Sequence, residues 1–544
     1  MMSASRQACL LALVALPVAL AVGLTGCGSD AGGSDAAGVS IVVGTTDRMP
    51  VLDPAAASDE GSFAVLNQVF PFLMNVRPGS SELEPDIASA ADFTPDGDYR
   101  VVLKSGLRFA NGNDLTSSDV KLSFDRQLAI ADAKGPSALL GNLDRVETPD
   151  DTTVVFRLKQ PHDQSFPRVL ASQAGLIVDE QVFSADAVTG NDDILKGMAF
   201  AGPYTITDYV PGELVTFVPN ARYQGLLGTP KNREVRLRYY TDASNLRNDL
   251  LAGTVDVAFR GISADDLATL RDEGSVTVVD GPGGETRYLV FNLSTMPYGT
   301  ATADADPAKA LAVRRAMADV VDRAQLAKRV YADRYLPLFS DIPSGVAGAA
   351  EALRGLYGDG SGGPDIAAAK TVLEVAGVAT PIALTLSYTP EQFGSGTADE
   401  YALLKSQLEG SRLFTVTLNA VDGSQYADDR ANDLFQVSQS GRSAAFADAA
   451  NYLMPLFGAD DVAKNHYANA SVRDDLAKQL TEPDPAARLK LIAGIQAQVA
   501  AELPTLPLLQ STQYFVTGND VSGAVVDASH TLRFGTLTRN GGAG

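Results

Sequence analysis

The sequence is poor in the side chains from which metal centres are usually built. Its 544 residues include two cysteines and three histidines. The histidines, His162, His466 and His530, are far apart and form no His-Glu-x-x-His pattern. We therefore expect surface positions for all three histidines and no bound metal, nickel included, because an imidazole ligand would have to come from this small set.

Several sequence motifs of catalysis and nucleotide binding are also absent. There is no Gly-x-Ser-x-Gly elbow, no Walker-type phosphate loop and no Rossmann glycine fingerprint. Tryptophan is absent, which disfavours sugars and quaternary amines, because Trp is the favoured platform for both. We expect no enzymatic activity and no cofactor.

Positive charge is scarce relative to negative charge. Lys and Arg together number 43 and Asp and Glu number 66, giving a formal net charge of −23. This balance argues against nucleic acid as a partner and against binding an anionic bilayer by charge. An alternative interpretation is that the acidity only keeps the protein soluble.

The first residues have the pattern of an export signal. Arg6 precedes an apolar run over residues 8–22, which is shorter than the ~20 apolar residues that span a bilayer. Leu24-Thr-Gly-Cys27 resembles the lipobox of bacterial lipoproteins, in which the cysteine carries diacylglycerol. We predict a signal peptide over residues 1–26, lipidation of Cys27 and a flexible tether over 27–38. The alternative is an ordinary secretory signal with a chance cysteine.

If Cys9 leaves with the signal and Cys27 is lipidated, no thiol remains for a disulfide, a nucleophile or a metal. The rest of the chain, at 45% hydrophobic overall, has enough apolar material for more than one domain.

Predicted strands and helices alternate along the chain. Strands are expected at 39–44, 99–103, 107–112, 151–158, 286–293 and 381–388. Helices are expected at 62–74, from Thr116, at 244–252, from Asp306-Pro307, at 365–376, at 401–408 and from Asp484-Pro485. Gly253 fits the left-handed position that follows a helix. The alternation predicts an α/β fold with helices packed on a mixed sheet.

A series of short motifs resembles one protein family in order and spacing. The motifs are Leu52-Asp-Pro54, Leu83-Glu-Pro-Asp-Ile-Ala88, Asp96-Gly97, Leu107-Arg-Phe109, Asn111-Gly112, Thr116-x-x-Asp119-Val120, Gly202-Pro-Tyr204, Asn220-x-x-Tyr223, Val313-Arg-Arg-Ala316, Asp322-Arg323 and Pro504-x-x-Pro507-Leu508. Together they resemble the extracellular solute-binding proteins of family 5, the peptide-, nickel- and oligosaccharide-binding lipoproteins of ABC importers.

The resemblance implies a two-lobed periplasmic-binding-protein-like fold of type II, with an extra subdomain and a hinge between the lobes. Lobe I would comprise residues 39–63, 177–285 and 516–544, and the extra subdomain residues 64–176. Lobe II would comprise residues 286–515. In such proteins the lobes close on a solute, so function is a binding equilibrium coupled to closure.

The expected ligand site lies in loops at strand ends that face the cleft. Thr46, Asp47 and Arg48 follow the first strand, although a plain solvated loop is nearly as good an interpretation. Tyr288 and Asn292 flank the crossover strand, and Tyr514 and Phe515 follow the return strand. Packing is the alternative role for each of these four residues.

The segment over 439–453 resembles the family sequence Ala-Asp-Tyr-x-Asp-Pro-x-Asn-Phe-Leu. The residues that match it are Asp448, Asn451, Tyr452 and Leu453. The aspartate that pairs with the α-ammonium in peptide-binding members falls at Ala445, which removes a bond worth about 1.5–3 kcal/mol. Arg442 is predicted to bind a carboxylate or phosphate of the solute. The alternative is an ion pair between Arg442 and Asp448.

The function that this resemblance implies is capture of a peptide or peptide-like solute and its delivery to the permease of an ABC importer. We expect a monomer anchored outside the cell membrane. One alternative is an envelope lipoprotein of the same fold with a regulatory or lipid-binding role. Another is an envelope hydrolase, which would need a nucleophile and a base that the sequence does not display.

Overall fold

The structure is a computed structural model that describes residues 39–390, 393–394, 396–526 and 532–540. The predicted signal peptide, Cys27, the tether and His530 lie outside these residues. None of the helices in the described part is both long enough and apolar enough to cross a bilayer.

The described strands, in chain order, are β1 (Ser40–Thr45), β2 (Met74–Val76), β3 (Leu83–Pro85), β4 (Ala88–Phe93), β5 (Tyr99–Leu103), β6 (Leu143–Asp150), β7 (Thr153–Leu158), β8 (Tyr204–Val210), β9 (Leu214–Pro219), β10 (Glu234–Tyr239), β11 (Val257–Phe259), β12 (Val276–Phe291), β13 (Tyr335–Pro337), β14 (Ile382–Tyr388), β15 (Phe414–Ala420), β16 (Val437–Ser443), β17 (Thr505–Gly518), β18 (Val521–Ser522) and β19 (Thr538–Arg539).

The described α-helices are α1 (Glu60–Val69), α2 (Ser117–Ile130), α3 (Phe166–Val169), α4 (Asn191–Gly197), α5 (Ala243–Leu251), α6 (Ala264–Glu273), α7 (Pro307–Val320), α8 (Arg323–Tyr331), α9 (Ile366–Val375), α10 (Thr397–Gly410), α11 (Gly423–Ala431), α12 (Ala449–Phe457), α13 (Ala470–Thr481) and α14 (Pro485–Glu502).

Helix starts follow the capping residues seen in the sequence. Thr116 and Asp119 form the predicted capping box of α2. The carboxylates of Asp306, Asp365 and Asp484 accept backbone N–H groups at the starts of α7, α9 and α14. Each of these side chains satisfies N–H groups that have no partner inside the helix. These four predicted helix starts are confirmed.

The main sheet is mixed and extends through the molecule. Its strand order is β15-β14-β16-β12-β17-β11-β1-β10-β9-β8, with β13 pairing with β17 at one side. β1 pairs in parallel with β10 and β11, whereas β12 and β17 are antiparallel to each other. A mixed sheet with helices on it is the predicted α/β class, which is confirmed.

The two long strands β12 and β17 connect the two halves of the sheet. At one end Val278 pairs with Val516, and at the other Val290 pairs with Thr505. Between these ends the register shifts from Pro282 to Thr286. A bulge of this kind bends a strand and redirects its side chains.

Each half of the sheet has its own hydrophobic core. Val43, Phe217 and Phe515 belong to a core formed around β1 and β8–β11. Phe291 and Leu404 belong to a second core around β14–β16 and the helices α7–α10. The division into two cores is what a two-lobed molecule requires.

A separate four-stranded antiparallel sheet, β4-β5-β7-β6, packs against α2. Phe124 of α2 meets Phe156 of β7 with their ring centroids 4.9 Å apart and their planes nearly perpendicular. This sheet lies within the predicted extra subdomain, whose boundaries, like those of both lobes, stay a prediction.

Three predicted elements differ from the structure. The helix predicted over 62–74 ends at Val69, and Met74 already belongs to β2. The predicted strand over 107–112 is wrong, because this segment forms a turn closed by an isolated bridge between Arg108 and Asp114. The strand predicted to begin at residue 286 begins instead at Val276. Pro282 and Gly283 lie within this strand, which continues through them by way of the bulge.

Candidate functional site

A cavity of about 750 Å³ lies beside the β12–β17 crossing, the point at which these two paired strands pass from one half of the main sheet to the other. This volume is within the usual range for sites that bind small molecules. Its lining comes from both halves of the main sheet and from the segments around the smaller sheet. The charged and aromatic lining residues are Glu60, Phe63, Arg168, Phe259, Arg260, Glu285, Arg334, Tyr335, Phe446, Tyr514 and Arg533.

Arg260 lies at the end of β11 in a left-handed backbone conformation, with φ of 64°. This conformation is strained for a side chain with a Cβ and is stabilised by the surroundings. The Arg260 guanidinium contacts Glu60 of α1 and lies 3.3 Å from Asp47. Burial raises the pKa of Asp47, although Arg260 acts in the opposite direction.

Gly261 follows Arg260 and also has positive φ, at 83°. A Cβ at this position would lie 2.5 Å from the Thr46 hydroxyl oxygen, so only glycine permits the contact. The predicted residues Thr46 and Asp47 therefore support the Arg260 turn behind the cavity, whereas Arg48 is exposed. None of these three is a lining residue.

The segment over 443–447 forms another wall of the cavity and ends at Asp448. Asp448 is buried, caps α12 and pairs with Arg488. Arg168 of the cavity wall lies 3.9 Å from the same carboxylate and donates to the Ser81 carbonyl at 2.9 Å. Burial lowers the pKa of Arg168. The Asp448 carboxylate thus lies close to the guanidinium groups of both Arg488 and Arg168.

The formal charge of the lining is +2, from four arginines and two glutamates. Glu60 and Arg260 compensate each other, and Arg533 donates to Asn75 at 3.0 Å. The Arg334 guanidinium lies over the Tyr514 ring, 5.7 Å from its centroid. Among the described residues no carboxylate lies within 4.0 Å of it.

Tyr514 is the predicted site residue that lines the cavity. Its hydroxyl donates to the Ile262 carbonyl at 2.6 Å, and burial raises its pKa. The neighbouring Phe515 is buried instead, with its ring centroid 5.4 Å from that of Phe259. The alternation of a strand places the two side chains on opposite faces.

Three further predicted residues are buried outside the lining. Tyr288 donates to the Asp341 carbonyl at 2.8 Å, and Tyr452 donates to the Gly284 carbonyl at 3.0 Å. Asn292 donates to Asp433 at 3.0 Å. For Tyr288 and Asn292 these contacts are of the packing kind that was the alternative to ligand binding.

Arg442 is half-buried and donates to the Asn451 side-chain oxygen at 3.3 Å. Burial lowers its pKa. The alternative ion partner considered for it, Asp448, is engaged by Arg488. Neither Arg442 nor Asn451 belongs to the cavity lining. In this segment the lining starts at Ser443, the residue that follows Arg442.

The sequence interpretation missed six charged residues of the lining. Arg260 could have been found, because it follows β11, whose end lies beside that of its parallel neighbour β1. Glu285 and Arg334 carried no sequence signal, because a bulge and a short edge strand bring them to the cavity. In the described part no cluster of three or more His, Cys, Asp or Glu side chains is arranged to hold a metal.

Comparison with known proteins places the chain in a family. The model of bacterial extracellular solute-binding proteins, family 5 (middle region), matches residues 82–464. The probable D,D-dipeptide-binding periplasmic protein DdpA of Escherichia coli K12 is 28% identical over 267 residues, covering 48% of this chain and 51% of that protein. This match spans about half of the relative's length.

The glutathione-binding protein GsiB of Escherichia coli O157:H7 is 25% identical over 484 residues, covering 86% of this chain and 88% of that protein. Among solved structures, HbpA2 from Haemophilus parasuis matches with a TM-score of 0.79 and 18% identity, covering 92% of this chain and 99% of that one. The fold is that of the two-lobed periplasmic binding proteins. With the family model matching most of its length, the chain belongs to the bacterial extracellular solute-binding proteins of family 5.

Proposed function

We propose that this protein captures a peptide or peptide-like solute outside the cell membrane and delivers it to the permease of an ABC importer. The observation that carries this proposal is the cavity of about 750 Å³ at the crossing of β12 and β17. Relatives named for D,D-dipeptide and glutathione binding support a peptide-like solute.

The lining of the cavity suits a peptide-like solute. It offers hydroxyl and amide groups that can bond to peptide groups, together with aromatic rings for apolar side chains. The polar members are Ser58, Ser80, Ser81, Ser172, Gln173, Ser443, Ser511, Thr512 and Gln513. Arg334 supplies a cation that can bind a carboxylate of the solute in a bidentate manner.

Several residues predicted from the sequence have supporting roles in this proposal. Asp47 and Thr46 hold the turn that carries Arg260, and Tyr514 offers its ring to the solute. Arg442 immediately precedes Ser443 of the lining and donates to Asn451. Closure of the two halves would bring both side chains nearer the solute.

The proposed mode of action is closure of the two halves about the β12–β17 crossing. A solute that contacts both halves stabilises the closed form. The difference between its affinities for the closed and open forms sets how far the equilibrium moves toward closure. The closed form is then the one that the permease recognises. Lipidation of Cys27 would keep the receptor at the membrane through a lipid anchor rather than a membrane-spanning helix.

The proposal can be tested with protein that lacks its first 27 residues. Native mass spectrometry before and after mild unfolding identifies any co-purified solute, and calorimetry measures binding of a pool of di- to pentapeptides. We expect saturable binding at micromolar concentration or better. The Ala445→Arg variant places a large side chain on an exposed lining position and should abolish it.

The matched control is Ala445→Ser, which adds a single hydroxyl and should bind the pool as the native protein does. Failure of the native protein to bind any peptide, or unchanged binding by Ala445→Arg, would contradict the proposed function.

A further inference from the structure

Glu285 is a cavity residue that no part of the sequence interpretation singled out. It lies inside the bulge of β12, between the register positions Pro282 and Thr286. Its backbone N–H donates to the Ser511 hydroxyl at 3.2 Å. Bulges redirect side chains, and here the glutamate side chain reaches the cavity wall.

Within the described residues, one neutral donor holds the Glu285 carboxylate in place. The Tyr335 hydroxyl donates to its Oε1 at 2.6 Å. Burial and the adjacent Glu285 carboxylate both raise the pKa of Tyr335, so the phenol keeps the proton that it donates. The Tyr335 ring packs against Tyr331 with ring centroids 4.5 Å apart, which restricts its motion. Among the residues that the structure describes, the second carboxylate oxygen has no hydrogen-bond partner and remains for a ligand.

No positive side chain neutralises Glu285 within the described part of the chain, where no Arg, Lys or His nitrogen lies within 4.0 Å of its carboxylate. The guanidinium of Arg287, two residues along the strand, is 2.8 Å from Glu400. Both members of that pair are buried, with 2% of each side chain exposed, so the charge of Arg287 is already compensated.

The other lining carboxylate, Glu60, contacts Arg260 and is therefore not available in the same way. Ser443 lies opposite Glu285 in the β12–β16 register, and Ser511 lies beside its backbone. A primary ammonium has three N–H donors and no acceptor. One carboxylate with two neighbouring hydroxyl oxygens matches that set of donors.

We propose that Glu285 binds a primary ammonium group of the solute, with the hydroxyls of Ser443 and Ser511 accepting its remaining N–H groups. This inference rests on the proposed function and assigns one contact within the same cavity. A hydrogen bond between two charged groups is strong. Removing one of them leaves the charge of the other buried and uncompensated, which is costly. Glu285 then determines specificity for solutes with a free amino group.

Three pools of short peptides test this assignment by competitive native mass spectrometry. The first pool contains lysine-free peptides with free amino termini, and the second contains the same peptides N-acetylated. The third contains N-acetylated peptides with one lysine, which separates an α-ammonium from a side-chain ammonium. We expect the native protein to prefer the first or the third pool over the second by about tenfold or more.

In Glu285→Gln that preference should disappear while binding of the acetylated pool changes little, because the amide keeps an acceptor for Tyr335. Glu285→Asp keeps the charge and should keep the preference. Glu60→Gln is the matched control, since it removes the other lining carboxylate and should also keep the preference. Melting temperatures verify that each variant is folded.

Two outcomes would overturn the assignment. Equal binding of all three pools by the native protein, or a preference that survives in Glu285→Gln, excludes an ammonium contact at Glu285 and leaves peptide capture standing. Binding of none of the three pools overturns the assignment and the proposed function together.

Discussion

Arg488 and Asp448 form a bidentate pair, with nitrogen–oxygen distances of 2.8 and 2.9 Å. The same aspartate accepts the Ala450 N–H at the start of α12. The pair therefore fixes the point at which the cavity wall over 443–447 becomes a helix. Residues far apart in sequence, on α14 and before α12, are joined at this point.

Replacing Arg488 by Met should lower the free energy of unfolding by about 3 kcal/mol, because it leaves Asp448 buried without its main partner. Urea denaturation followed by circular dichroism measures the change. Arg145→Met is the matched control, since Arg145 and Asp144 form an exposed pair whose loss should change the free energy of unfolding far less. Similar losses in the two variants would contradict this prediction.

Arg334→Gln should weaken binding of a peptide with a free carboxyl terminus by about tenfold. Binding of the C-terminally amidated peptide should change less, because the amide has no charge for Arg334 to stabilise. Arg442→Ala serves as the comparison, and its loss of affinity should be the smaller of the two because Arg442 lies behind the lining. Isothermal calorimetry ranks the variants, and the reverse order would contradict the prediction.

Asp341 gives a prediction about pH. Its carboxylate is buried and accepts the Thr505 hydroxyl at 2.7 Å, and burial raises its pKa to about 7. The unfolded value is about 3.9. The folded protein therefore holds this proton more tightly than the unfolded chain does. The stabilisation that the protonated Asp341 contributes is complete below about pH 4 and is lost as the pH rises through about 7.

Asp341→Asn keeps the acceptor for Thr505 and removes the charge. Its stability relative to the native protein should therefore increase between pH 5 and pH 8, as measured by urea denaturation at both values. A stability difference that is independent of pH would show that Asp341 does not titrate in this range.

The Cys27→Ser variant should move the protein from the membrane fraction to the soluble fraction, because a lipid is the proposed anchor. Fractionation and immunoblotting of cells expressing the full chain measure this directly. A variant that stays with the membrane would contradict the lipobox interpretation.

Local signals in the sequence predicted most of the elements. An aspartate before Pro307 marks the start of α7 because both residues act on the first turn alone. Gly253 has the predicted positive φ, at 70°, for the same local reason. The prediction for the segment after Leu107 is wrong, since its alternating apolar residues suit a strand but pair with no strand in the described part of the chain.

The cavity was harder to predict than the fold. Tyr514, predicted to follow the return strand, lies within β17 and lines the cavity. Glu285 and Arg334 reach the same cavity through a register shift and an edge pairing, and both depend on contacts between distant segments. Arg260 was missed but could have been predicted, because the ends of neighbouring parallel strands lie side by side and Arg260 follows such an end.

The pairing of Val290 with Thr505 means that the chain leaves β12 and enters β17 at adjacent points. Residues 291–504 therefore form a closed excursion whose two ends lie side by side. Such an insertion can be exchanged between relatives, or made the site of new termini, without rethreading the remaining strands. The half that carries α7–α14 can thus diverge in sequence largely independently of the half that contains β1.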